Sequence, residues 1–147
     1  MQVNCYICFV KKRKIEFRSD CPISTALDIF GDKWSLLVIR DILFNGKSTY
    51  GEFLASEEKI ATNILADRLS QLEAGGLITK HSHPESKLKL LYKPTTKALD
   101  LIPVLVELIA WSEKHHDVHP YAREFVRAIR KDKEGVIKKL RADLRRQ

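Results

Sequence analysis

Hydrophobic spacing divides the chain into helix-period and strand-period stretches whose order suggests an architecture. Between Ile60 and Glu73, apolar residues fall at 60, 64, 65, 69 and 72, the i, i+3 and i+4 steps of one helical face. Thr62, Asn63, Ala66, Asp67, Arg68 and Ser70 lie on the opposite side, small or polar. Gly75 and Gly76 follow, where a helix C-terminus favours residues tolerant of positive φ. A short helix, Tyr50 to about Ser56, precedes this stretch across a link at Glu57 to Lys59. Leu77–His83 and Leu88–Lys93 then roughly alternate apolar and polar residues around a loop at 84–87, which predicts two paired strands. Short helix, link, second helix and hairpin is the order of a winged helix-turn-helix.

The flanking stretches supply a scaffold. Cys21-Pro22 precedes a helix carrying Ile23, Leu27 and Phe30 and ended by Gly31-Asp32; proline suits a first helical turn, where its missing N–H has no partner to lose. Lys33–Phe44 is apolar nearly all round, with Arg40 and Asp41 as exceptions, so it should be buried on most sides. Asn45-Gly46 is turn chemistry, and Ser48-Thr49 can then pair with the hairpin. Pro94-Thr95-Thr96 introduces a longer helix reaching roughly Glu113, with Pro103 expected to kink or restart it. Its stripe of Leu99, Ile102, Val106, Ile109 and Ala110, widened by Leu101, Leu105, Leu108 and Trp111, exceeds what a small winged domain must cover. A dimer interface or a larger internal core accounts for the surplus. The fold expected is therefore mainly α with a small β-hairpin wing. A basic arm occupies 1–18, the winged domain with its dimerisation helix 19–115, and a basic helical tail 116–147, which Gly135 is expected to divide in two.

The net charge of +7 invites a nucleic-acid reading, but its distribution tempers it. Residues 1–18 hold five Lys/Arg against one acid and residues 121–147 hold ten against four, so the stretch 19–120 is net acidic. Lys11-Lys12-Arg13-Lys14 is either a solvated tail or an arm along phosphates. No apolar run is long enough to span a membrane, and the start lacks the basic region and cleavage site of a signal peptide. Three cysteines are too few for a disulfide scaffold and fit a reducing, cytoplasmic setting.

Candidate chemistry is sparse. Cys5 and Cys8 have metal-ligand spacing but lack two further ligands, and His115 and His119 stand i, i+4 only if a helix continues towards Pro120, so no metal and no cofactor is expected. No Ser/His/acid set, phosphate loop or His-Glu-x-x-His pattern is present, which argues against an enzyme. Cys21 has a physical reason to be reactive: at a helix N-terminus, unpaired N–H groups and the dipole favour a thiolate. The competing reading is a small buried residue.

The run Cys21-Pro22-Ile23-Ser24-Thr25-Ala26-Leu27-Asp28-Ile29-Phe30-Gly31-Asp32-Lys33-Trp34-Ser35 resembles the opening of the HxlR-type transcriptional regulators, relatives of the MarR-like proteins. Tyr50-Gly51-Glu52-Phe53, Leu65-Ala66-Asp67-Arg68-Leu69 with Leu72-Glu73, Gly76-Leu77-Ile78, Tyr92-Lys93-Pro94-Thr95 and Trp111 extend the resemblance over about 21–115. It implies a winged helix-turn-helix, a homodimer through the first and last helices, and binding to operator DNA. It also places Cys21 where several family members sense electrophiles or oxidants, so a small-molecule or oxidant effector is a further expectation. Two features depart from the family pattern. Ala61 stands where serine often caps the recognition helix, leaving Thr62 to serve, and the tail after His116 is longer than the norm.

On this reading Thr62, Asn63, Ala66, Asp67 and Arg68 enter the major groove of double-stranded DNA, Thr49 contacts a phosphate, and Lys87 and Lys89 hold the backbone from the wing. Arg68 either reads a guanine or ion-pairs within the fold, and Asp67 either accepts from a cytosine or braces Arg68. A protein-interaction module that keeps the fold without DNA affinity is the alternative, supported by the acidic middle of the chain.

Overall fold

Pro22 opens α1 (Pro22–Phe30) at the expected first helical position. The computed structural model describes residues 14–146, so the expectations for the arm ahead of residue 14, with Cys5 and Cys8, lie outside the described residues. Asp32 starts the next helix, α2 (Ser35–Asn45), by accepting the N–H groups of Trp34 and Ser35 at 2.8 and 3.0 Å. Those donors lack intrahelical partners, so the carboxylate satisfies both. Val38, Ile39, Ile42 and Leu43 of α2 are buried at the centre of the core, and the helix stops at Gly46, whose φ of 65° costs glycine nothing.

Next come α3 (Tyr50–Leu54), α4 (Thr62–Ala74), and an antiparallel hairpin of β1 (Ile78–His83) and β2 (Ser86–Pro94). Thr49 and Glu52 form a reciprocal capping box at the start of α3. Leu65, Leu69 and Leu72 turn the apolar face of α4 inward against Phe53, Ile39 and their neighbours, as the periodicity requires. Ser48–Thr49 does pair with the wing, through a bridge between Thr49 and Leu91 and a 2.7 Å bond from the Tyr92 N–H to the Ser48 carbonyl. This is the winged helix-turn-helix that the spacing predicted.

Several local expectations need correcting. Ala61, not Thr62, is the N-cap of α4, and no side chain caps that end. Of Gly75 and Gly76 only the second adopts positive φ, at 70°; Gly75 is right-handed and buried, and a Cβ there would meet methyl groups of Ile15 and Ile29 at 3.2 Å. The wing turn is Pro84-Glu85, so Lys87 belongs to strand β2 instead of the loop. Pro103 marks a restart: α5 (Thr96–Leu99) ends before it and α6 (Ile102–His115) begins there. The last two helices, α7 (Pro120–Lys131) and α8 (Lys133–Leu144), are divided by Asp132 and not by Gly135. Asp132 caps α8 by accepting the Gly135 N–H at 2.9 Å, and the absent Cβ at 135 leaves room for that carboxylate. Both helices pack on the body of their own chain. Val126 and Ile129 are buried, Phe125 meets Phe44 edge-on at 6.2 Å, and Leu140 and Leu144 lie against the core.

One buried carboxylate ties these parts together. Asp41, 2% exposed on α2, accepts from Arg40 Nη2 at 2.7 Å, Asn45 Nδ2 at 2.8 Å and Lys47 Nζ at 3.0 Å, and from the Ser56 hydroxyl. Arg40 also grips Glu58 at 2.5 Å. Burial alone would raise the Asp41 pKa, but the hydrogen bonds from Ser56, Arg40, Lys47 and Asn45 outweigh it and hold the carboxyl below its ordinary value. Its stabilising contribution is therefore complete above the unfolded-chain pKa of about 4 and is lost as pH falls through the lower folded value. Asp41→Ala should cost about 3–5 kcal/mol by leaving Lys47 without its carboxylate and Arg40 with Glu58 alone, lowering Tm by on the order of 10 °C. Asp41→Asn should flatten part of the acid limb of the stability–pH curve, which thermal melts from pH 3 to 7 would reveal.

Candidate nucleic-acid interface

The outward side of α4 carries Thr62, Asn63, Ala66 and Ser70, all exposed. They lie opposite Leu65, Leu69 and Leu72, so burial of one face dictates presentation of the other. None of the four carries a charge. Three tethers fix the rotation of α4 about its axis. The Tyr50 hydroxyl donates to the Thr62 carbonyl at 2.7 Å, linking α3 to the start of α4. Gln71 Nε2 donates to the carbonyls of Asp28 and Ile29 at 3.2 Å each, linking α1 to its last turn. Arg68 Nη1 meets Asp32 at 3.1 Å while Nη2 bonds Asp67.

Arg68 is thus engaged within the fold, the second of the two roles open for it from sequence. For Asp32, burial pushes the carboxyl up, but bonds from Ser35, the Trp34 and Ser35 amides and Arg68 bring it below its ordinary value. Asp67 is half-buried beside Arg68. Thr49 is likewise occupied. Its hydroxyl sits 2.9 Å from Glu52 Oε2, and the same carboxylate accepts the N–H groups of Ser48 and Thr49 at 2.9 and 2.8 Å, which hold Glu52 below the usual carboxylate range. A carboxylate in that place closes the α3 N-terminus to phosphate. Lys87 and Lys89 are exposed on β2, side by side with Leu88, which is 97% exposed. The roles of Arg68, Asp32 and Gln71 as tethers, and the exposure of Ser70, were not separable from sequence, where only the shared polar face is visible.

Cys21 is the N-cap of α1 and exposed. The backbone amides of Ser24 and Ile23 hold its thiol below the ordinary value, and Ile23 and Leu27, 72% and 50% exposed, face outward beside it. On α6 a second apolar row, Val104, Leu108 and Trp111, is also exposed. The helical continuation that a His115/His119 metal pair requires is absent: α6 ends at His115, and His119 instead caps α7, its Nδ1 accepting the Tyr121 N–H at 3.2 Å. Among the described residues no cluster of three metal-ligating side chains occurs and no helix is long and apolar enough to cross a membrane.

Comparison with known proteins identifies this arrangement. The sequence profile of the HxlR-like helix-turn-helix family matches residues 29–120, which takes in α2, the helix-turn-helix, the wing and α6. The chain belongs to that family. It is 32% identical over 111 residues to YdeP of Bacillus subtilis, an uncharacterized HTH-type transcriptional regulator, covering 73% of this chain and 86% of YdeP. The HTH-type transcriptional regulator YodB of B. subtilis is 30% identical over 95 residues, covering 64% and 84%, and the structure of its reduced form superimposes with a TM-score of 0.54. The redox regulator HypR in its oxidized form gives a TM-score of 0.59 at 27% identity, covering 67% of this chain and all of HypR. The HxlR chain described here is accordingly a helix-turn-helix transcriptional regulator and not an enzyme.

If Arg68 braces α4, then Arg68→Ala and Asp32→Ala should not be additive in stability. A double-mutant cycle by urea unfolding should return a coupling of about 0.5–1 kcal/mol, modest because both groups are partly exposed. Additive losses would show the pair to be idle.

Proposed function

We propose that this HxlR protein binds operator DNA sequence-specifically as a homodimer, with α4 in the major groove and the wing along the backbone. The observation that carries the reading is the uncharged, exposed row Thr62, Asn63, Ala66 and Ser70, held in one orientation by Tyr50, Gln71 and Arg68. Asn63 can bond adenine in two places, Ala66 can touch a thymine methyl, and the hydroxyls of Thr62 and Ser70 suit either base class. Asp67, beside them, suits a cytosine amino group or keeps Arg68 in place. Because Ala61 leaves the start of α4 without a side-chain cap, N–H groups there are available to a phosphate. Lys87 and Lys89 add sequence-independent grip. Thr49 and Arg68, already engaged within the fold, support the interface from behind.

The exposed rows Ile23–Leu27 on α1 and Val104–Leu108–Trp111 on α6 supply the apolar surface for a second copy. Two recognition helices in such a dimer would meet an inverted repeat with half-sites about one duplex turn, roughly 34–36 Å, apart. Gel shifts on palindromic promoter fragments test the whole reading, and no binding to any fragment at low salt would reject it. Asn63→Ala should cost about 1–3 kcal/mol on the preferred site only. The Lys87→Ala/Lys89→Ala variant should weaken all sequences alike and lower the salt slope by about 2.

The same protein is proposed to respond to oxidants or electrophiles through Cys21. The exposed thiol, its lowered pKa and its place on α1 beside Ile23 support this, as does likeness to a redox regulator, HypR. Through Gln71 and Arg68, movement of α1 would reach α4. Wild-type protein should change operator affinity on diamide treatment and Cys21→Ser should not; equal responses from both would exclude Cys21 as the sensor.

A further inference from the structure

The C-terminal helices do more than cover the core. Between α2, the link joining α3 to α4, and α7 they leave an open cleft of about 890 Å³. That volume is within the range of small-molecule sites. Phe44 and Phe125, edge-on at 6.2 Å, form its apolar floor with Ile109 and Leu140. Residues beyond His116 supply much of the wall, so the cleft depends on the part of the chain that extends past the family pattern.

We infer that this cleft binds a small aromatic or lipophilic monocation, selected by Glu57 and Tyr121 at its rim. The charges on the lining decide the sign of the ligand. Arg40 is neutralised by Glu58 at 2.5 Å and Asp41 at 2.7 Å, and Lys47 shares Asp41 at 3.0 Å. His119 is occupied in capping α7, its Nδ1 accepting the Tyr121 amide at 3.2 Å. Glu57 is left as the one lining carboxylate with no cationic partner among the described residues. An organic anion would find no uncompensated cation there, whereas a cation finds Glu57 and the aromatic lining of Tyr121, Phe44 and Phe125, rings whose π-systems attract positive charge. The cleft touches Ala55 to Glu58, directly ahead of Lys59, whose φ of 53° turns the chain into α4. A ligand there sits against the link that sets the recognition helix.

Tetraphenylphosphonium and tetraphenylborate have nearly the same shape and opposite charge, so they separate charge selection from simple greasiness. Calorimetry on the full chain without DNA should show phosphonium binding and borate binding at least several-fold weaker. Glu57→Gln and Tyr121→Ala change exposed side chains, so the fold should persist, as circular dichroism would verify. Each should weaken phosphonium by about two- to fivefold. Borate binding as tight as phosphonium, no phosphonium binding at millimolar concentration, or affinity untouched by both substitutions would overturn the assignment. Because no DNA is present, a negative result here leaves the operator-binding reading standing, and the reverse also holds.

Discussion

Asp41 is the constraint on which the arrangement of the helices depends. A carboxylate buried this deeply is tolerable only when its lone pairs are filled and a cation lies close. Here the donors come from three places: Arg40 and Asn45 on the same helix, Lys47 in the turn after it, and Ser56 at the far end of α3. Satisfying the charge therefore requires that the chain between α2 and α4 fold back against α2. The Arg40–Glu58 pair extends the same demand two residues further, to the threshold of α4. Apolar residues in place of the whole network, cations included, would pack as well but would leave the link free to choose other positions. The charge network contributes specificity of placement more than net stability.

With its starting point set by Asp41 and its rotation set by Tyr50, Gln71 and Arg68, α4 can afford a first turn with no side-chain cap. Uncapped helices usually lose about 1 kcal/mol, and here tertiary packing of Leu65, Leu69 and Leu72 offsets that. The consequence for recognition is chemical. The cation nearest the reading row is turned back to Asp32 and Asp67, so the exposed residues are neutral hydrogen-bonding groups and a methyl. The exposed positive charge lies instead on the wing, at Lys87 and Lys89, and in basic segments outside the winged core, since residues 19–120 are net acidic.

Much of this was legible in the sequence, and the failures have a common cause. The periods of 3.6 and 2 placed α2, α4 and the wing because burial of one face is a property of the segment itself. Hydrogen-bond allocation is not. Arg68 looks the same on a helical wheel whether it faces a base or Asp32, thirty-six residues earlier in the chain. Thr49 is a good phosphate ligand until Glu52, three residues on, folds back over it. Gly135 reads as a breaker, yet Asp132 ends one helix and caps the next, and the glycine serves that cap. The pattern x-Asp-x-x-Gly ahead of an apolar run could have revealed this, since an N-cap is expected there.

The last two helices, which but for Pro120 lie beyond the residues matched by the family, constrain what the winged domain can do. The α7 face carrying Val126 and Ile129 must be buried somewhere, and α6 offered two flanks. Ion pairs between Glu113 and Arg130 and between Glu107 and Lys133 bind α7 and α8 to α6. Val104, Leu108 and Trp111 nevertheless stay exposed. Had α7 and α8 covered that row, the exposed apolar surface of α6 would have disappeared. Docking towards Phe44 instead keeps the row open and forms one wall of the cleft beside the link that Asp41 anchors. The last two helices thus face, across the cleft, the link that the Asp41 network and the Arg40–Glu58 pair hold in place ahead of α4.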